Sequence, residues 1–250
     1  MTKRSHVRCR RSRLVRGRSS LAALATLVGS LVVLGAAGAS AAGVPGVAPR
    51  EDDGTTMCRL STGPYQRQVE KYLGLPEDGK QSAQDCAAIQ SVQSAYGIVP
   101  ADGYAGLVSH RAAVVDWATR HKASLTGCAG RSRLVVCVDQ TRQLLWVRQG
   151  KKIAFGPIPA RTGMPGHRTR NGSHRIYKRV EKFWSSLYDA PMPFSQFFDR
   201  GEALHASHRP IFEDPGSHGC VNVRYADARA LWSLLRVGDG VEVFGRRNGN

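Results

Sequence analysis

Acidic residues are scarce in this chain. Only 19 Asp and Glu stand against 36 Lys and Arg in 250 residues, for a formal net charge of +17. That balance points away from a cationic partner and toward an anionic one, either a nucleic acid or an anionic polymer such as a bacterial wall. No nucleic-acid-binding motif is present, so a nucleic-acid partner is not expected. A His-Glu-x-x-His run is also absent, which removes the usual helix-borne signature of a zinc peptidase. The first 42 residues contain no acid at all, yet they hold Lys3, Arg4, Arg8, Arg10, Arg11, Arg13, Arg16 and Arg18. Without them the chain keeps 28 basic and 19 acidic residues, a net +9.

This basic, acid-free start leads into an apolar stretch from Leu21 to Ala37, then into Ala39-Ser40-Ala41. The order fits an export signal over residues 1–42, cleaved after small residues. A retained membrane anchor competes with it, since the apolar stretch is near the lower length for spanning. The Gly and Ala content and the cleavage site favour removal, so membrane contact is expected only transiently, through the leader. Arg10-Arg11 leaves twin-arginine export open. Residues 43–57 are rich in Pro, Gly and acid and read as a linker.

Cysteine is sparse too, and its parity is informative. Of six cysteines, Cys9 leaves with the leader, and Cys58, Cys86, Cys128, Cys137 and Cys220 remain. An odd count in an exported chain leaves one thiol over. If Cys220 is that thiol, the other four allow three connectivities. Cys58–Cys86 with Cys128–Cys137 is favoured, because each pair stays within one domain.

Residues 58–125 read as a small helical domain. Pro64 suits a first helical position, and Tyr65, Val69, Tyr72 and Leu73 recur on one face before Gly74. Ser82 and Asp85 form a capping-box pattern ahead of Ile89, Val92 and Tyr96. A third helix is expected from near Ser109, carrying Val114, Trp117 and Ala118. Gln90 and Gln93 are candidates for sugar recognition. From Arg133 the texture becomes β-rich: Leu134 to Asp139, Gln143 to Arg148, Lys152 to Phe155, and Arg175 to Lys178 are expected strands. Ala228, Leu231, Trp232 and Leu235 mark a late amphipathic helix, and Val241 to Phe244 a closing strand.

The stretch with chemistry is Ser217-His218-Gly219-Cys220-Val221-Asn222, in a loop after Pro215. A thiol is a strong nucleophile once a base takes its proton. His205 lies fifteen residues upstream of Cys220. One alternative makes Cys220 a buried thiol or half of a disulfide. Another gathers His205, His208, His218 and Cys220 into a metal cluster.

The six-residue block and the upstream histidine resemble the L,D-transpeptidase family. Ala160-Arg161-Thr162-Gly163 resembles it too. The family's Thr-Pro-x-Gly turn stands here as Thr169-Arg170-Asn171-Gly172, a departure expected to affect turn rigidity and not chemistry. The helical segment, with Asp102-Gly103-Tyr104-Ala105-Gly106, resembles a peptidoglycan-binding domain. The resemblance implies an α+β chain: a mainly-β, sandwich-like catalytic domain over 132–245, preceded by a small three-helix domain over 58–125.

It also implies roles. Cys220 would be the nucleophile and His205 the base, oriented by the backbone carbonyl of Ala206. The N–H groups of His218, Gly219 and Cys220 would hold an oxyanion, with His218 lining the site. Ser217 and Asn222 would hold the loop, and Met192 and Phe194 would form core or groove wall or touch the substrate directly. The implied partners are peptidoglycan stem peptides and glycan, with carbapenem β-lactams as inhibitors. Neither cofactor nor metal is implied. The implied reaction is acyl transfer to an amine outside the cytoplasm, giving 3→3 cross-links. Water as acceptor, which would make an L,D-carboxypeptidase, and a non-catalytic wall-binding protein are the competing outcomes.

Overall fold

The computed structural model describes residues 57–247. The leader read over 1–42, and all of the 43–57 linker except Met57, lie outside the described residues.

Three helices come first: α1 (Gln66–Leu73), α2 (Ala83–Ala95) and α3 (Leu107–Arg120). Gly74 ends α1 with a left-handed φ of 71°, a conformation that costs glycine little. The expected capping box opens α2: Ser82 Oγ accepts from Asp85 N at 3.1 Å, and Ser82 N donates to Asp85 Oδ2 at 2.9 Å. α3 starts two residues before Ser109, which sits inside the first turn and donates its hydroxyl to Tyr104 O at 2.6 Å. Gln93 is not free for sugar recognition. Its amide is consumed within the fold, accepting from Gly103 N at 2.8 Å and donating to Ser109 Oγ at 3.0 Å. A bridge joins Cys58 to Cys86, and another joins Cys128 to Cys137. Cys220 is free.

Nine strands follow in two sheets. The first, ordered β3-β2-β1-β9-β4, uses β1 (Val135–Asp139), β2 (Leu144–Gln149), β3 (Lys152–Pro159), β4 (Gly172–Arg175) and β9 (Gly240–Phe244). The second, ordered β5-β6-β7-β8, uses β5 (Lys178–Ser185), β6 (Ala190–Asp199), β7 (Glu202–Ala206) and β8 (Val221–Val223). Helix α4 (Tyr225–Leu234) packs behind β6 and β7. Among the described residues, no helix is long and apolar enough to cross a membrane.

The near-continuous apolar run of β1 has a reason. Val136 and Val138 face the second sheet and pack with Leu204, Val221 and Val223. Val135 and Cys137 face the other way, onto a core shared with Ala112, Val115 and Ala118 of α3. A strand buried on both faces needs apolar residues at every position, not at alternate ones. The helical segment is therefore packed on the first sheet through a common core. Trp146 of β2 lies at its centre with no exposed surface, edge-on to Phe244. Trp146→Ala should cost about 3–5 kcal/mol. Chemical denaturation of the variant, read as a midpoint shift, checks this.

One expectation changes. No strand spans Arg175 to Lys178, because the chain crosses between sheets there. Ile176 N donates to Asp239 O beside β9, and Tyr177 N donates to Phe197 O of β6, both at 2.9 Å. Strand β6 forms despite Pro191 and Pro193. Its partner β7 pairs only from Gln196 onward, so the prolines sit where one edge is unpaired.

Candidate active site

Strands β7 and β8 run parallel, in a register that sets Asn222 beside His205. Cys220 immediately precedes β8. The two strand ends, the 216–220 loop and the β5–β6 hairpin enclose a cavity of about 390 Å³, lined among others by His205, Ala206, Met192, Ser217, His218 and Cys220. The structure thus brings the upstream histidine and the cysteine to one cavity.

The loop is held from three sides. Ser217 N donates to Thr162 O at 3.0 Å, and Met164 N donates to Ser217 O at 2.9 Å, so the Thr162–Met164 segment forms its floor. Ser217 Oγ donates to Cys220 O at 2.5 Å and accepts from Gly219 N at 3.1 Å. Thr169 Oγ1 donates to Gly219 O at 2.8 Å. A planar trans peptide points its N–H opposite its C=O, so pinning Gly219 O toward Thr169 turns Cys220 N–H the other way. Among the described residues the amides of His218 and Cys220 have no hydrogen-bond partner, whereas that of Gly219 is spent on Ser217 Oγ. Gly219 has a φ of 120°, and a Cβ there would lie 3.2 Å from Glu202 Oε1. The dihedral favours glycine, and a side chain would also crowd Glu202.

Arg170, at the place of the family's proline, does more than loosen a turn. Its N–H, which proline lacks, donates to Glu202 Oε2 at 3.2 Å. Its guanidinium bonds Asp199 at 2.5 Å and approaches Glu202 at 3.3 Å. Glu202 is thereby fixed beneath Gly219 and beside Cys220.

His205 is buried. Its Nδ1 lies 2.7 Å from Ala206 O, and its Nε2 lies 2.8 Å from Asn222 Nδ2. A carbonyl can only accept, so the proton is on Nδ1 and Nε2 holds the lone pair. Asn222 Oδ1 accepts from Arg161 Nη2 at 3.2 Å, which fixes the amide with its NH₂ toward His205. No hydrogen bond links Cys220 to His205 in this resting arrangement; the amide of Asn222 takes that place at Nε2. Arg161 is 2 % exposed and also donates to Ser207 Oγ and Pro210 O. Burial lowers its pKa to about 10, and nearby arginines add to the fall.

Burial also pushes His205 down to about 4, opposed by the Ala206 hydrogen bond. Cys220 goes up to about 11, through burial first, with a backbone hydrogen bond from Ala203 opposing and the charge of Glu202 assisting. Burial raises Glu202 to about 7. The Cys220 thiol and the His205 imidazole are thus both neutral at pH 7.

These shifts have opposite consequences for stability. His205 and His110, also lowered to about 4 by burial, bind protons in the unfolded chain first. Each removes stability as pH falls from about 6.5 to about 4. Glu202 takes its proton first in the folded chain, so it adds stability as pH falls from about 7 to 4.5. The melting temperature should therefore fall on acidification, and fall more steeply in Glu202→Gln. A thermal melt series from pH 7 to pH 4 checks both.

The remaining expected residues divide. Met192 is buried and lines the cavity. Phe194 does not: it packs in the main core against Tyr225 and Trp232. Its φ of 58° breaks the strand alternation that would have put both on one face. The His218 ring stacks on Tyr188 at 4.5 Å and meets His167 edge-on at 4.8 Å. Among the described residues, no three His, Cys, Asp or Glu side chains converge to hold a metal ion. The roles of Tyr188, Thr169, Glu202 and Arg161 were not foreseen. Only Thr169 and Arg161 carried a signal, as members of blocks that resemble the family's.

The chain is similar to known proteins in sequence and fold. Residues 133–243 match the YkuD family, the L,D-transpeptidase catalytic domain. The chain is similar to the crystal structure of an L,D-transpeptidase from Stackebrandtia nassauensis, at 38% identity and a TM-score of 0.60, covering 77% of this chain and 96% of that one. An L,D-transpeptidase from Xylanimonas cellulosilytica aligns at 25% identity over 75% of this chain and 96% of that one, with a TM-score of 0.44. L,D-transpeptidase 3 of Mycobacterium tuberculosis, solved with a faropenem-derived adduct, aligns at 17% identity with a TM-score of 0.42, over 45% of this chain and 60% of that one. No curated protein matches.

Proposed function

This chain belongs to the L,D-transpeptidase family, and on that premise we propose that it cross-links peptidoglycan by acyl transfer through Cys220. The observation that carries the reading is the cavity itself. It holds a free thiol, a neutral imidazole oriented by the Ala206 carbonyl, and two amides without partners at the nucleophile. When a stem peptide enters, Asn222 releases Nε2 of His205, and the thiol proton passes to it. The sulfur attacks the carbonyl between the L-centre of a diaminopimelate-type third residue and the terminal D-Ala. The amides of His218 and Cys220 hold the oxyanion; one such donor is worth about a hundred- to a thousandfold in rate. The C–N bond breaks, the imidazolium protonates the leaving amine of D-Ala, and a thioester remains. An amine from a neighbouring stem attacks that thioester and forms the 3→3 amide. His205 takes the amine's proton and returns it to the sulfur.

The reaction takes place outside the cytoplasm. Two disulfides, an expected leader and an anionic wall as partner to a basic chain all support that location. The helical segment, packed on the first sheet, serves as a wall-contacting surface next to the catalytic cavity. Incubating the mature enzyme with a purified tetrapeptide stem and weighing the products tests the reading. A dimer lacking one D-Ala is expected. Only a tripeptide and free D-Ala would mean that water is the acceptor, and an unchanged stem would overturn both.

A further inference from the structure

Beyond β7 the chain forms a ridge, residues 207–213, that separates two cavities. Buried Arg161 anchors its first half at Ser207 Oγ and Pro210 O, and Ile211 and Phe212 are buried in the core shared with the helices. The backbone is therefore fixed, while His208 and Arg209 stand exposed. On one side lies the 390 Å³ cavity of Cys220; on the other lies a cavity of about 720 Å³ walled by the helical segment, through Tyr96, Ile98, Tyr104, Leu107 and Val108. Ser207, His208 and Arg209 line both. An extended ligand crossing the ridge would reach from the nucleophile to the helices.

The charge at this junction is unbalanced. Arg209 N donates to Ser207 Oγ at 3.1 Å, but among the described residues its guanidinium has no hydrogen-bond or ion-pair partner. It adds to the field of Arg161, whose own side-chain partners are all neutral oxygens. Arg224 lines the larger cavity as well. Of the acids there, Asp102 is already bound by Gln93, Tyr104 and Arg59, which leaves Glu213. The first turn of α3 opens on the same cavity with no side-chain cap, adding the positive end of a fourteen-residue helix.

We propose that the larger cavity is a second binding site for an acidic wall peptide, and that Arg209 reads its carboxylate. The planar guanidinium offers a paired donor edge that matches a carboxylate. The inference rests on the proposed function and extends it: the second site would seat the strand whose amine meets the thioester across the ridge.

The test keeps the two apart by measuring binding without turnover. Cys220 of the full mature chain is capped with N-ethylmaleimide, which blocks the thiol and narrows the smaller cavity. A tetrapeptide stem with free carboxylates is then titrated by calorimetry against wild type, Arg209→Gln and Arg209→Lys. Thermal melts confirm that the variants fold alike. Loss of an exposed charged hydrogen bond should weaken binding by about tenfold in Arg209→Gln. Arg209→Lys should fall between, because it keeps the charge and loses the fork. The fully amidated stem should bind wild type as weakly as the acid binds Arg209→Gln. Affinities of wild type and Arg209→Gln for the acid that agree within about twofold, or equal affinity for the acid and amidated stems, would overturn the proposal. Failure of the transpeptidase reading would appear elsewhere, as no release of D-Ala by the uncapped enzyme.

Discussion

A carbapenem mixed with the mature protein should add one drug mass, and peptide mapping should place it on the Cys220 peptide. A β-lactam offers a strained amide to the same sulfur that attacks the stem. The other four cysteines are joined in pairs, which leaves Cys220 as the free thiol among the described residues. Cys220→Ser should take up almost nothing, and its turnover of stem peptide should fall by about four to six orders of magnitude. A hydroxyl is far less acidic than a thiol, and a neutral His205 is a modest base for it. The loop should survive this change, because Ser217 and Thr169 hold it through the backbone oxygens of Cys220 and Gly219. Labelling that persists undiminished in Cys220→Ser, or that maps to Cys58, Cys86, Cys128 or Cys137, would sink the nucleophile assignment.

The loop that carries Cys220 was legible because its pattern occupies six contiguous residues. Local rules also served the helices: a capping box needs Ser82 and Asp85 three apart, and Gly74 ends a helix by its own dihedral. What the sequence hid was non-local or broke a rule of period. Besides burial, Glu202 raises the pKa of Cys220 from eighteen residues away, and Thr169 bonds Gly219 O from fifty. No spacing announces such contacts. The prolines of β6 are tolerated at a free edge, which is a property of the sheet and not of the local sequence. Phe194 looked like a neighbour of Met192 until its left-handed φ turned it into the core. Arg170 is the most instructive case. As a missing proline it read as a looser turn; in place, its N–H and guanidinium lock Glu202 under the nucleophile.

His205→Ala should slow carbapenem acylation at pH 7 by about a hundred- to ten-thousandfold, the usual span for a general base. The pH profile says more than the size of the loss. With His205 lowered to about 4 and Cys220 raised to about 11, both groups stay neutral between these values. The wild-type rate should therefore be flat from about pH 5.5 to pH 9, because the proton moves only during attack. Below that range His205 takes a proton from water and the rate falls. Without the imidazole, only the thiolate already present can react. The variant's rate should then rise about tenfold per pH unit up to the thiol's own ionisation. Asn222→Ala removes the amide that caps Nε2, and with it the link from Arg161 to the base. It should keep a flat profile at a lower level, since the base remains but its orientation loosens. Stopped-flow acylation from pH 5 to pH 10 separates these outcomes. A flat, near-normal profile in His205→Ala would move the base to His218, which lines the same cavity together with His208, and His218→Ala would then show the tenfold-per-unit slope.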